Sequence, residues 1–315
     1  MVSAVTTIDD IRAAAARIRG YVHRTPVMTS ATLDRELGAE VFAKCENFQK
    51  VGAFKARGAC NAVLALDGAS AKRGVVTHSS GNHAAALAYA ARIRGIRCIV
   101  VMPDTAPAVK VDAVRGYGAE IRFGKPGERE VICAAVQKET GAVLVHPFEN
   151  PFVIAGQGTA ALELLEQVPD LDAVIAPVSG GGLMAGTAIA VRALRPEASV
   201  LAAEPKVVDD AARSLATGVR QPRVDGAKSW ADGLMAGIGA PNFELLQKHR
   251  VRVVTVEEDA IADACRFFVE RAKIVVEPSG ATALAALRAI AAELRGKRVG
   301  MILSGGNTDF AWLAR

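Results

Sequence analysis

Lys55 is the residue from which the chemistry of this chain can be read. It sits in Asn47-Phe48-Gln49-Lys50-Val51-Gly52-Ala53-Phe54-Lys55-Ala56-Arg57-Gly58-Ala59, where a small-residue turn and an aromatic precede a helical pattern. Helix starts favour Ser, Thr, Asp or Asn, with acids in the first turn. Here two cations, Lys55 and Arg57, stand at the positive end of the helix dipole. A lysine in that position beside Arg57 is expected to have a lowered pKa and a more nucleophilic amine.

Three polar, glycine-rich turns follow three apolar strands. Ser79-Ser80-Gly81-Asn82-His83 opens a helix, where backbone N–H groups suit a carboxylate or phosphate. Ser179-Gly180-Gly181-Gly182-Leu183 lets the backbone approach an anion closely. Ser304-Gly305-Gly306-Asn307 places a hydroxyl at the end of the last strand. The second turn also satisfies the dinucleotide pattern Gly180-x-Gly182-x-x-Ala185, with Glu204 about twenty residues further on. An NAD-binding oxidoreductase is therefore an alternative, but it leaves Lys55 and the first turn without a role. A reactive lysine, a phosphate-sized cradle and a carboxylate-sized nest together describe a pyridoxal phosphate enzyme acting on an amino acid.

The surrounding pattern supplies the elements that must hold these groups. Helices are expected over 8–18, 55–66, 83–94, 106–117 and 128–140, with strands over 40–45, 74–77, 97–102, 119–123 and 142–145. Short apolar strands alternating with helices imply a parallel sheet covered on both faces. His146-Pro147-Phe148-Glu149-Asn150-Pro151 reads as a linker. A second alternation follows, with helices over 155–167, 183–194, 242–249, 261–271 and 279–295 and strands over 173–177, 199–203, 251–256 and 298–303. The stretch 206–239, rich in Gly, Asp and Ala, has no clear pattern. The fold class is α/β with two lobes, and ligands are expected outside the carboxyl ends of the strands and between lobes.

Bulk properties bound the function. The chain has 315 residues, 51% of them apolar, enough for a large core. No run of about eighteen uncharged apolar residues occurs, so no membrane span is expected. Residues 1–19 are amphipathic and lack the apolar core of a signal peptide. The five scattered cysteines read as reduced thiols of a cytoplasmic protein. A net charge of +5 is dispersed and aromatics make up only 5%, so no nucleic-acid surface is expected. An anionic small molecule suits this balance.

Gly52-Ala53-Phe54-Lys55-Ala56-Arg57-Gly58-Ala59 resembles the Schiff-base lysine motif of the serine/threonine dehydratase and serine racemase family. Ser79-Ser80-Gly81-Asn82-His83 resembles its substrate-carboxylate loop. Ala155-Gly156-Gln157-Gly158-Thr159, Ser179-Gly180-Gly181-Gly182-Leu183 and Leu303-Ser304-Gly305-Gly306-Asn307 are similar to further family segments, in family order, from about Thr25 to Asn307. The resemblance implies the two-lobed fold type II architecture, each lobe an open, mostly parallel twisted sheet flanked by helices. The small substrate lobe would span 48–145. The large cofactor-binding lobe would comprise 1–47 and 146–315, and the assembly would be a homodimer.

By the same resemblance, Lys55 holds pyridoxal phosphate and moves the Cα proton. Phe54 and Gly233 lie on the two faces of the cofactor ring, Asn82 meets the ring hydroxyl, and Ser304 the ring nitrogen. Gly180, Gly181, Gly182 and Leu183 cradle the phosphate. Ser79, Ser80, Gly81, Asn82 and His83 bind the substrate, with Ser80 on the catalytic face opposite Lys55. Glu204, the Val208 carbonyl and Asp210 match a divalent-cation site of racemase-like members, with oxygen ligands suited to Mg²⁺ or Ca²⁺. Arg129 stands near the substrate and could pair a second carboxylate, as in 3-hydroxyaspartate, or face solvent.

Some positions depart from individual branches. No C-terminal regulatory domain is expected beyond Arg315. Ala84-Ala85-Ala86 lacks the glutamine that contacts ATP in mammalian serine racemases. Phe148 resembles threonine dehydratases, whereas Ser79-Ser80-Gly81 resembles racemases and hydroxyaspartate dehydratases. The expectation is a dehydratase that removes water from a β-hydroxy amino acid such as L-threonine or L-serine, giving a 2-oxo acid and ammonia. Serine racemase and 3-hydroxyaspartate dehydratase are the near alternatives.

Overall fold

The computed structural model describes residues 6–79, 81–106, 108–125 and 127–314. Its strands are β1 (Val27–Met28), β2 (Glu40–Cys45), β3 (Val75–His78), β4 (Cys98–Pro103), β5 (Glu120–Gly124), β6 (Val143–Leu144), β7 (Ala173–Pro177), β8 (Ser199–Pro205), β9 (Arg252–Val256) and β10 (Arg298–Leu303). They form a six-stranded sheet in the order β1-β2-β10-β7-β8-β9 and a four-stranded sheet in the order β5-β4-β3-β6. Every neighbouring pair is parallel except β1 and β2. The α/β architecture of two largely parallel sheets flanked by helices is thus the expected one.

Both ends of the chain meet in the larger sheet. β10 pairs with β2 from Arg298 opposite Glu40 to Leu303 opposite Cys45. In a parallel sheet the carboxyl ends share one edge. That edge therefore carries the segments after β2, β7 and β10, which hold Lys55, the Gly180–Gly182 turn and Ser304. Ser79 follows the carboxyl end of β3 in the other sheet, and Asn82 begins the next helix. Apolar clusters cover both faces of the larger sheet, and a third lies among helices Lys55–Leu64 and Asn82–Arg94 and strands β3 and β4.

Helix Lys55–Leu64 packs on both Asn82–Arg94 and Pro151–Gln167, so it bridges the two sheets. The crossing is close because glycines face each other: a Cβ on Gly156 would lie 2.6 Å from the Gly58 Cα. The Gly156-Gln157-Gly158 segment is therefore a packing surface for the Lys55 helix. Gln157 Oε1 accepts the Gly58 N–H at 3.1 Å.

Several boundaries differ from expectation for local reasons. Pro151 begins a helix instead of ending a linker, because the Asn150 side chain caps it by accepting from the amides of Phe152 and Val153. The expected helix over 279–295 runs as Pro278–Ala289 and then Ala291–Leu294, interrupted at Ile290 (φ −116°, ψ 20°). The helix expected over 261–271 is Glu258–Phe267 followed by a π turn, Phe268–Ala272. Short helices Ala31–Leu37 and Gly68–Arg73 follow the side-chain caps Ser30 and Asp67. The unpatterned 206–239 stretch contains helix Asp210–Thr217. All five cysteines are free and buried. Among the described residues, no helix is long and apolar enough to cross a membrane.

Candidate active site

A cleft of about 780 Å³ lies where the strand ends of the two sheets meet. Lys55 lies in its wall at the first turn of its helix, and its Nζ donates to the Pro147 carbonyl at 3.0 Å. The same Nζ stands 5.0 Å from the centre of the Phe54 ring. Burial lowers the amine to about 8, with the nearby Glu277 carboxylate opposing the shift. The lowered pKa expected from sequence is present, but its cause is desolvation rather than Arg57.

Arg57 faces the other way, into a closed set of charges. It is 0% exposed and bonds both Glu46 oxygens, at 2.7 and 2.8 Å, and both Glu163 oxygens, each at 2.8 Å. Lys44 completes the group by donating to Glu163 at 2.7 Å, to Gln167 and to the Thr25 carbonyl. Burial alone would raise Glu46, yet the adjacent guanidinium holds it below the usual carboxylate range. Arg57 anchors the Lys55 helix to β2 and to helix Pro151–Gln167.

Among the helix N-termini that border the cleft without a side-chain cap, two follow glycine turns. Helix Gly182–Leu194 starts after Gly181, whose φ of 89° is left-handed. A Cβ on Gly181 would lie 2.7 Å from the Asn242 Cβ, and one on Gly180 2.4 Å from the Phe148 ring. Asn242 pins the turn by donating Nδ2 to the carbonyls of Gly180 at 2.6 Å and Phe148 at 2.9 Å. Helix Asn82–Arg94 starts after Gly81, again with no side chain on its first amides. Exposed amides and the positive helix end make each an anion site.

Asn82 donates Nδ2 to both oxygens of Glu277, at 3.0 and 3.1 Å. Its Oδ1 accepts from Asn307 Nδ2 at 2.9 Å, and the same Nδ2 donates to the Val51 carbonyl at 2.8 Å. Val51 is left-handed, with φ 57°, a strained state for a β-branched residue just before Lys55. Glu277 is 4% exposed, and burial pushes it up to about 7. Glu277, Asn242 and Asn307 received no role from the sequence. The available signal for Glu277 was a lone acid after the apolar run Ile274-Val275-Val276.

The other expected residues are distributed as follows. Phe54, Ser79, Gly81, Asn82, His83, Arg129, Gly180, Gly181, Gly182, Leu183, Gly233 and Ser304 all line the cleft. Ser80 lies outside the described residues. Gly233 N–H donates to Ser279 Oγ at 3.0 Å, and the Ser304 carbonyl accepts from the Phe54 amide at 2.9 Å. His83 is packed in the wall with its Nε2 on the Val145 carbonyl at 3.0 Å, and burial drops it to about 3. A neutral, buried ring with one nitrogen engaged suits wall structure more than substrate-carboxylate binding. His146 is lowered to about 4 by burial and by His78, with which it makes an edge contact at 5.3 Å.

Glu204, Val208 and Asp210 do not line the cleft. Glu204 accepts the amides of Ala211 and Ala212, each at 2.9 Å, and Asp210 Oδ2 accepts that of Ile238 at 2.7 Å. Among the described residues, no group of three or more His, Cys, Asp or Glu is placed to hold a metal. The two acids act here as backbone caps, and the donor set does not by itself make a cation site. Glu204 is also turned to the amides of the next helix and does not line the cleft that the glycine turn borders, which disfavours the dinucleotide alternative.

The cleft fits pyridoxal phosphate on its own terms. It offers a desolvated amine without a bonded carboxylate, an uncapped helix start behind a glycine turn for a phosphate, and a second uncapped start for a substrate carboxylate. A family model described as pyridoxal-phosphate dependent enzyme matches residues 18–305. A serine racemase of Oryza sativa subsp. indica is 47% identical over 313 residues, covering 97% of this chain and 92% of that one. A beta-hydroxyaspartate dehydratase of Paracoccus denitrificans (strain Pd 1222) is 48% identical over 307 residues, covering 97% of each. The crystal structure of a T.th. threonine deaminase matches with a TM-score of 0.92 at 45% identity, covering 97% of this chain and 99% of that one. The chain belongs to the pyridoxal-phosphate dependent enzymes of fold type II.

Proposed function

We propose that this protein is a pyridoxal phosphate-dependent ammonia-lyase that removes water from a β-hydroxy amino acid and releases a 2-oxo acid and ammonia. The observation that carries the reading is a desolvated amine in the cleft wall, Lys55, which has no bonded carboxylate and shares the cleft with the uncapped starts of helices Asn82–Arg94 and Gly182–Leu194. The Gly180–Leu183 turn would hold the phosphate and the Ser79–Asn82 turn the substrate carboxylate, each through backbone N–H groups. Phe54, Gly233 and Ser304 would bound the ring. When bound, the cofactor supplies the electron sink that accepts the charge left by a departing Cα proton.

Lys55 would anchor the cofactor and take the Cα proton. An amine with a pKa of about 8 is matched to that task near neutrality. In the net reaction the Cα proton and β-hydroxyl leave as water. The resulting enamine tautomerises to an imine, which takes up water to give the 2-oxo acid and ammonia. Elimination asks one base of the site. Racemisation asks for a second on the opposite face, a role for which Ser80 is the candidate by motif position. The racemase reading has its support in the 47% identity to the rice enzyme.

Arg129 favours a substrate with a second carboxylate. Its guanidinium is on the cleft wall and has no ion pair among the described residues. The same wall carries Glu130 and the histidines His78 and His146, both lowered chiefly by burial. The dehydratase relative acts, by its name, on such a compound.

The test is a panel of L-serine, L-threonine and 3-hydroxyaspartate, scored side by side for keto acid and for chiral exchange. Keto acid as the main product supports the lyase; exchange without keto acid replaces it with the racemase. Ser80→Ala should leave elimination from L-substrates within roughly tenfold and remove racemisation. Any Mg²⁺ or Ca²⁺ at Glu204, Val208 and Asp210 would lie outside the cleft and stabilise the fold without joining the reaction. Chelation would then lower the thermal midpoint, and an unchanged midpoint in metal-free protein retires that expectation. The expected homodimer and cytoplasmic location are parts of the same proposal, checked by light scattering and fractionation.

A further inference from the structure

Asn82 has its side chain held at both the oxygen and the nitrogen end, by partners from the other sheet's half of the molecule. It starts helix Asn82–Arg94, which follows β3 of the four-stranded sheet. Glu277 starts helix Pro278–Ala289, and Asn307 follows β10 of the six-stranded sheet. A side-chain amide can flip, because its oxygen and nitrogen ends have nearly the same shape. Both Glu277 oxygens lie on Asn82 Nδ2, and in either protonation state at least one of them only accepts, so Glu277 favours the nitrogen end facing it. Asn307 Nδ2 donates only, so it requires the oxygen end. These partners leave Asn82 with one N–H and one carbonyl lone pair uncommitted.

The approach of Glu277 is built into the backbone. A Cβ on Gly305 would lie 2.4 Å from Glu277 Oε1, so glycine is what admits the carboxylate. The Glu277 amide donates to the Gly305 carbonyl at 3.0 Å, fixing the same corner. Asn307 Nδ2 also holds the Val51 carbonyl, four residues before Lys55. One set of side chains thus fixes the amide of Asn82 and the turn that delivers the lysine.

We propose that Glu277 is a positioning residue that locks the Asn82 amide in a single orientation at the cleft wall and thereby sets how tightly pyridoxal phosphate is held. The proposal rests on the cofactor reading above. Glu277 itself need not touch the cofactor, since its effect passes through Asn82. Two residues acting through one contact lose it only once, whereas independent contacts lose affinity multiplicatively.

The experiment is a double-mutant cycle on the dissociation constant of pyridoxal phosphate, followed by the visible absorbance of the reconstituted enzyme. Asn82→Ala and Glu277→Ala should each weaken binding by roughly tenfold, the size of one lost polar contact. The double variant should be no weaker than the worse single one, and both singles should move the absorbance maximum alike. Glu277→Gln can accept from Asn82 but can also flip, so it should fall between wild type and Glu277→Ala. It also carries the cycle with Asn82→Ala if the alanine variant does not fold. A roughly hundredfold, multiplicative loss in the double variant overturns the proposal, as does wild-type affinity in Glu277→Ala. Wild-type protein that binds no pyridoxal phosphate overturns the cofactor reading and this inference together, which separates the two failures.

Discussion

Two buried charge groups flank the first turns of the Lys55 helix, and they behave in opposite ways. On one side, Arg57 and Lys44 meet Glu46 and Glu163 at hydrogen-bond distance, so the charges balance. There the acid Glu46 is held low and Arg57 is held above its ordinary value by its two carboxylates, which outweigh burial; Lys44 alone is lowered by burial, against the pull of Glu163. On the cleft side, Lys55 is lowered to about 8 and Glu277 raised to about 7, each chiefly by burial. No hydrogen bond joins these two, and each is driven toward its neutral form. A balanced group anchors a helix; an unbalanced one leaves groups able to exchange protons near neutral pH.

The largest expected effects come from exchanging the two roles. Arg57→Met leaves the buried Glu46 without its bonded cation and Glu163 with Lys44 alone, and should cost about 3–5 kcal/mol in chemical denaturation. Lys55→Met removes a desolvated amine, so it should cost no stability while abolishing turnover. A Lys55→Met protein as unstable as Arg57→Met would erase the distinction between the two groups.

The glycine turn gives the next largest effect. Gly181→Val places a β-branched residue at φ 89° with its Cβ 2.7 Å from Asn242. Cofactor affinity should fall roughly tenfold or more, from strain of about 1–3 kcal/mol and lost amide geometry. Unchanged pyridoxal phosphate affinity in an equilibrium titration would remove this turn from the cofactor site.

The cleft side also makes a kinetic prediction. Only the free amine attacks an aldehyde. The rate at which cofactor-free protein captures pyridoxal phosphate should rise with pH and level off above about 8, following Lys55. An ordinary lysine would keep climbing toward its usual value of 10.5. Stopped-flow absorbance over that range separates the two curves.

The smallest effect is on stability against pH, and the two groups have opposite signs. Glu46 is lowered when folded, so its contribution is present above its ordinary value of 4.5 and is lost as pH falls below it. Glu277 is raised, so between 4.5 and about 7 the folded state keeps a proton that the unfolded chain releases. Its contribution therefore falls as pH rises through that window. Glu277→Gln should flatten the stability profile there in cofactor-free protein, and a parallel profile would contradict the shift.

The parts legible in the sequence were those written in local patterns. Alternating strands and helices, glycine turns after strands, and Lys55 after a small-residue turn were all visible, and the two-lobed α/β class followed from them; the fold type II architecture followed from the family resemblance. The cause of the Lys55 shift was not visible, because the direction in which Arg57 points depends on Glu163, more than a hundred residues away in the chain. Glu277, Asn242 and Asn307 were missed for the same reason: their partners are Asn82, Gly180 and Val51. Glu204 and Asp210 meet backbone amides in the structure, contacts that a sequence cannot distinguish from cation ligation because a loop of acids looks the same in either case.

The central claim is that the desolvated amine in the cleft is the cofactor's anchor, and trapping the cofactor tests it directly. Holoenzyme reduced with borohydride, digested and mapped by mass spectrometry should carry the pyridoxyl group on the peptide containing Lys55 and on no other. Label on a different lysine, or none on a protein that has visibly bound pyridoxal phosphate, would contradict the account.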